Sequence, residues 1–364
     1  MQYECSSTYF SKKINVMKRV ILMLCVISLF SCEKREELIK KDLAQEVIMP
    51  DNEGTGGIII GNGGNGTNCH EGIRMVCDNL LEFSDLQQFW DTYECLELSY
   101  EQYNDNFEAL HVNLNDSLYD IYCDSIGFDE DEPLLAFERN FNGFVSYRAW
   151  FAKEEDNWLN NVNLDPNTDP ENNNFFDDDI LMTLFNQDRA VKIAGVIYWL
   201  GKDGVIYQIN NGDCQLLIEL QKNPDIQNGN ISIFNTNSNS SECDRWDRED
   251  DFEEYDGNKQ FKWILSFKSW PWGTNSKSKI KSYKKKKNGS WKRYRTSLYV
   301  SNFGVAYDIN CSDPTDYSNY KGIKRRKKLK TKNYWWGLTA QFQYETAAGA
   351  FEAKGHSIIK KLTF

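Results

Sequence analysis

Between Gly257 and Phe364 the chain carries 24 of its 42 lysines and arginines and only 5 of its 54 acids. Everything before Gly257 is left with 18 basic and 49 acidic side chains, so a net charge of −12 conceals about +19 behind and −31 in front. A fold for such a chain has three ways to carry this charge. It can hold the cations in water, offer them to an anionic partner, or bring the two halves together.

The basic segment also alternates at period 2. "QFKWILSFKSW" puts Phe261, Trp263, Leu265 and Phe267 on one face. "WKRYRTSLYVS" does the same with Tyr294, Thr296, Leu298 and Val300, and "WWGLTAQFQYET" with Trp336, Leu338, Ala340, Phe342 and Tyr344. "KGHSIIKKLTF" reads as a last strand. One apolar and one polar face predict an all-β antiparallel sandwich or small barrel over residues 258–364. Two basic clusters sit in it, Lys277 to Arg295 and Lys321 to Lys332, the first turning at Lys287-Asn288-Gly289-Ser290. Cations beside aromatic faces suit polyanions. The candidate ligand-binding set is therefore Lys284, Lys286, Trp291, Arg293, Arg295, Lys324, Arg325, Arg326 and Trp335. An anionic glycan, lipopolysaccharide or a protein would be the ligand, and nucleic acid is disfavoured. The other readings are lysines that guard sheet edges and keep the domain soluble, and a basic face docked on the acidic front half.

The front region, residues 73–220, reads as α+β. "IRMVCDNLLEF" is extended, and Ser84 with Gln87 forms a capping box. Leu86, Phe89, Trp90, Tyr93, Leu96 and Tyr100 then recur at helical spacing. Further helices are predicted at Asp116 to Cys123, Pro133 to Arg139 and Ser146 to Leu159. Strands are predicted at Val191 to Leu200 and Val205 to Ile209, joined by "GKDG", with another at Cys214 to Leu220. Residues 221–257 read as an acidic polar linker. In this region Phe137-Glu138 ends a helix, Gly143-Phe144-Val145-Ser146 makes a turn, and Asn186 precedes a hairpin over Val191 to Tyr198. This pattern resembles uncharacterised Bacteroidota outer-membrane and surface lipoproteins that carry a domain of unknown function. The resemblance implies an envelope location and no particular activity.

The N-terminus points the same way. Met17-Lys18-Arg19 precedes the apolar run Val20 to Phe30, too short to span a bilayer and of signal-peptide length. Leu29-Phe30-Ser31-Cys32 resembles a lipobox, with lipid on Cys32. Residues 1–31 are thus expected to be a signal peptide, with an over-long start before Met17, and 32–72 a lipidated tether. The acid-rich Glu33 to Glu37 favours display on the cell surface of the outer membrane, with its periplasmic face as the alternative. Gly61, Gly63 and Gly66 spell a dinucleotide-type motif, but only three isoleucines precede it and no helix start follows, so a flexible spacer is expected.

Chemistry is sparse. After processing, Cys69, Cys77, Cys95, Cys123, Cys214, Cys243 and Cys311 remain, an odd number that leaves at least one thiol unpaired. The histidines His70, His111 and His356 are scattered, and no zinc, nucleophile-elbow or metalloprotease motif occurs. Asp165 to Asp179 offers alternating acids for calcium, but Pro170 stands where a calcium loop needs glycine, so no cofactor is expected. Asp116-Ser117-Leu118 and Asp124-Ser125-Ile126 resemble short O-glycosylation sites. The expectation is a lipid-anchored, non-catalytic binding or interaction module. The alternatives are a glycan-acting hydrolase with a carboxylate pair about 5 Å or about 6.5–9.5 Å apart, and a structural subunit of an envelope complex, marked by an exposed apolar patch.

Overall fold

The first helix, α1 (Leu86–Ala109), starts from a cap shifted by one residue from the predicted box. Asp85 accepts from the Gln88 N–H at 2.8 Å, and the Gln88 side chain accepts from the Ser84 N–H at 2.7 Å. The computed structural model describes residues 69–362 except 162–164, 175, 202–203, 235–245, 309 and 337–345. The expected signal sequence, Cys32, the expected glycine spacer and the 337–345 part of one expected strand lie outside the described residues. Next come α2 (Asp116–Ile126), capped by Asn115, and α3 (Glu132–Glu138). Then follow α4 (Tyr147–Leu159), capped by Ser146, and α5 (Asp179–Leu184), capped by Asp178. The aromatic stripe of α1 is buried as expected: Phe89, Trp90, Tyr93, Leu96 and Tyr100 share one core with Phe137, Tyr147 and Phe151.

A six-stranded sheet flanks these helices. Its strands are β1 (Arg74–Val76), β2 (Leu80–Phe83), β3 (Ala190–Ile193), β4 (Val196–Leu200), β5 (Ile206–Ile209) and β6 (Ile231–Phe234), adjacent in that order. Only the β2–β3 pair among them is parallel. Two expectations need correction. The hairpin expected over Val191 to Tyr198 is present, so the single strand read over Val191 to Leu200 is two strands turning at Ala194 and Gly195, whose φ of 51° and 80° mark a two-residue turn. The strand expected at Cys214 to Leu220 is helix α6 (Cys214–Lys222). Asp213 caps it by accepting from the Gln215 N–H at 2.8 Å, and Leu216, Leu217 and Leu220 fall on one buried helical face.

The basic region forms a sandwich of two sheets, not a closed barrel. One sheet runs β10-β9-β8-β7, with β13 also paired to β9; the other runs β12-β11-β14-β15. The members are β7 (Trp246–Glu254), β8 (Lys259–Trp270), β9 (Gly273–Lys285), β10 (Trp291–Arg293), β11 (Thr296–Ala306), β12 (Thr315–Arg326), β13 (Lys328–Trp336), β14 (Ala347–Ala353) and β15 (His356–Lys361). Phe261, Trp263, Leu265 and Phe267 do share a face, and they pack against Leu298, Val300 and Phe351 of the opposite sheet. The chain changes sheet at Tyr294-Arg295, at Lys327 and again between β13 and β14, so the "WKRYRTSLYVS" alternation spans two strands in different sheets. The segment read as an acidic linker supplies β6 and β7. Within residues 69–362, Trp270 and Trp272 from the β8–β9 end enter the helical core, and the chain from Gly64 onward makes one compact unit. Disulfides Cys69–Cys95 and Cys77–Cys214 tie the helices to the first sheet, Cys311 is also disulfide-bonded, and Cys123 is a buried free thiol.

Candidate functional site

The β8-β9-β13 part of the sandwich has one apolar face and one lysine face. Along β9, Ser276, Ser278, Ile280 and Ser282 point toward the sandwich interior or its edge, while Lys277, Lys279 and Lys281 point away, as period 2 requires. Lys262 and Lys268 on β8 and Lys328, Lys330 and Lys332 on β13 join them. An exposed lysine face would be ordinary; here the five lysines of β8 and β9 named are no more than 2% exposed.

The helical layer covers them with acids. Lys268 lies 2.6 Å from Asp177, Lys330 2.6 Å from Asp178, and Lys279 3.6 Å from Asp179. Lys328 reaches Asp131 at 3.0 Å, and Lys281 sits between Glu155 at 3.0 Å and Glu171. Arg248, from β7, pairs with Asp177 and Asp250. Thus most of the acids in the Asp165 to Asp179 loop, the calcium candidate, face ammonium or guanidinium groups. Burial alone would keep these carboxyls protonated. The surrounding cations outweigh it, holding Asp177, Asp178 and Asp179 well below the carboxylate range and Glu155 down to about 2. Burial prevails at three lysines: with less compensation it lowers Lys332 and brings Lys268 down to about 8 and Lys277 to about 7.

Eight of the nine candidate ligand-binding residues stand in or around the same contact, and Trp335 instead packs into the sandwich core. Lys284 pairs with Asp120, Lys286 donates to Asn160 at 2.8 Å, and Arg293 holds Asp156 at 2.5 Å. Arg295 is fully buried against Glu130 at 2.9 Å and Asp124 at 3.1 Å. Lys324 and Arg326 take Asp105, and Arg325 and Arg326 take Glu108. Trp291 is buried beside Trp158, and Trp335 packs against Tyr317 and Phe267. The structure gathers all seven cations, but onto side chains of the acidic front half. Their electrostatic partners could be sought in the sequence; the helix faces that carry them could not be matched to strands without the fold.

One helix turns its acids inward in this arrangement. On α2, Asp116, Asp120 and Asp124 recur every four residues and all face the sandwich. Asp116 accepts from Ser297 N–H at 2.8 Å, Asp120 from Arg295 N–H at 2.9 Å, and Asp124 from Lys292 at 2.7 Å. Tyr119 and Cys123 are buried with Phe107 and Phe128, while other apolar side chains face outward. Leu118 and Ile121 are 52% and 58% exposed, and Leu110 and Val112 in the preceding turn are 80% and 64% exposed.

Two small, partly open spaces border the lysine–acid layer, about 20 Å³ and about 10 Å³. Tyr100, Asp179 and Arg326 border the first; Arg148, Glu155 and Lys281 border the second. Each has room for about one water and none for a sugar. The converging carboxylates of Glu155 and Glu171 are separated by an ammonium group rather than by a cleft.

No family model matches the chain, and no curated protein matches it. Among solved structures, a DUF4848 family protein from Bacteroides thetaiotaomicron aligns over 80% of this chain and 100% of its own, at 10% identity and a TM-score of 0.18. A likeness that low carries no argument about fold or activity.

Proposed function

We propose that the chain is an envelope protein, held at the outer membrane by lipid on Cys32, that works by associating with another protein rather than by catalysis. The outward apolar face of α2 carries this reading. A helix that spends its acids on an internal contact and leaves Leu118 and Ile121 in water, beside Leu110 and Val112, has the character of an interaction surface. The paired state of the basic rim speaks against capture of anionic glycans there, because six of its seven cations already hold an acid of the same chain.

Leu118→Glu with Ile121→Glu tests the association. Both side chains are exposed, so thermal stability is expected to stay within about 0.5 kcal/mol of the parent. The detergent-solubilised protein is expected to lose a larger species on a sedimentation gradient. Unchanged sedimentation overturns the reading. Cys32→Ala, fractionated in parallel, is expected to leave the membrane pellet. A second prediction concerns charge. The soluble chain from Glu33 onward is expected to elute from a sulfated-polysaccharide column below physiological salt, despite 24 basic residues in its last third. Retention well above that salt would restore an anionic ligand as the leading candidate.

A further inference from the structure

Lys262 stands apart from the other buried lysines. Its ammonium lies 2.8 Å from Oδ2 of Asp169 and 2.7 Å from Oδ1 of Asp250. It is 1% exposed and lies 5.2 Å from the centroid of the Phe252 ring. The two carboxyls differ in their surroundings. Asp250 is held at 2.5 Å by the Arg248 guanidinium. Asp169 has the backbone N–H of Glu171 on its other oxygen, Oδ1, at 2.9 Å. A nucleophilic nitrogen, a carboxyl whose far oxygen already receives an N–H, and a second carboxylate touching that nitrogen are the parts required for amide formation.

We propose that Lys262 and Asp169 form an intramolecular isopeptide bond, with Asp250 as the catalytic residue that moves the protons. Nζ of Lys262 attacks Cγ of Asp169, and negative charge developing on Oδ1 is met by the Glu171 N–H. Two of the three ammonium protons pass through Asp250 to Oδ2, the Cγ–Oδ2 bond breaks, and Oδ2 leaves as water. The third proton stays on the amide nitrogen, and Asp250 ends as it began. An ammonium and a carboxylate become an amide and one water, so no further reactant is needed. Burial pushes the Asp169 carboxyl above its usual range, even beside Lys262, which favours the neutral acid formed when the first of the two ammonium protons reaches it, leaving the amine to attack. Lys281 also sits between two carboxylates, but Lys281 and Arg293 hold Glu155 ionised against its burial, which disfavours the same reaction there. The bond would join the 165–174 loop to β8 across 93 residues of chain. It would act as a second kind of staple beside the disulfides.

A tryptic digest of the full purified chain tests this. Modified Lys262 is not cleaved, so a branched peptide is expected that joins residues 154–189 to residues 260–268, lighter than their sum by one water. Lys262→Arg keeps the cation without an attacking amine, and is expected to yield the linear 154–189 peptide in full. Asp250→Asn is expected to slow cross-linking by about 10²-fold or more, in protein whose circular dichroism matches the parent. The linear 154–189 peptide in full yield from the parent chain overturns the proposal. Cross-linking at the parent rate in folded Asp250→Asn overturns the role of Asp250.

Discussion

Lys281→Ala is expected to destabilise the protein by about 3–5 kcal/mol, the cost of breaking a buried ion pair from one side. The substitution leaves Glu155 and Glu171 buried with their shared ammonium gone. The Tyr283 hydroxyl, which donates to Glu155 at 2.9 Å, cannot replace a charge. Lys277→Met makes the informative contrast. Burial already brings Lys277 down to about 7; Asp178, 3.8 Å away, compensates only in part, and Lys330 and Lys268 oppose its charge. Its ammonium is poorly compensated, so an apolar side chain of similar length is expected to cost less than about 1 kcal/mol or to stabilise. Urea unfolding of the two variants, compared at equal slope, separates these cases. Losses below about 1 kcal/mol for both would mean that the layer behaves like a set of exposed pairs.

This layer also marks the limit of what the sequence made legible. The helix positions followed from the spacing of Phe89, Trp90, Tyr93 and Leu96, and the sandwich core from Phe261, Trp263, Leu265 and Phe267, because burying apolar surface depends on local periodicity alone. The lysine strands β9 and β13 did not follow. Lys277, Lys279 and Lys281, and again Lys328, Lys330 and Lys332, have the spacing of one strand face, but that pattern ordinarily means a face in water. What makes them interior is a set of acids more than 90 residues away, on a loop whose composition reads as solvated. Charge totals announced that the halves could neutralise each other. They did not say which face of which element would do so. The inward-facing acids of α2 were hidden for the same reason: Asp116, Asp120 and Asp124 look like the wet side of an amphipathic helix until Arg295 and Lys284 are placed beside them.

Acid should undo this architecture earlier than it undoes an ordinary core. Asp131, Glu171, Asp177, Asp178 and Asp179 are all held below their usual values by neighbouring cations that outweigh burial, and Glu155 is brought down to about 2. A carboxyl with a depressed folded value binds its proton more readily in the unfolded chain. Its contribution is therefore complete above the unfolded value, near pH 4, and is lost as pH falls toward the folded one. For Glu155 alone, a fall from 4.5 to about 2 corresponds to about 3 kcal/mol. Asp169, pushed up by burial, acts in the opposite sense, one group against six. Several such losses together match the whole stability of a typical domain. Cooperative unfolding is thus expected between about pH 4.5 and pH 2 at 25 °C, read by tryptophan fluorescence from Trp270 and Trp272 in the shared core. The lysines set the other limb. Lys277 and Lys268, depressed to about 7 and about 8, bind protons more weakly when folded, so stability rises with pH from about 7 toward 10. Lys281, Lys328 and Lys330 are raised, and their contribution is lost only above the ordinary lysine value. The maximum should accordingly lie on the alkaline side of neutrality. A maximum near pH 5 with a stable fold at pH 2 would mean that these pairs are solvated, and that packing of the aromatic core alone holds the helices on the sheet.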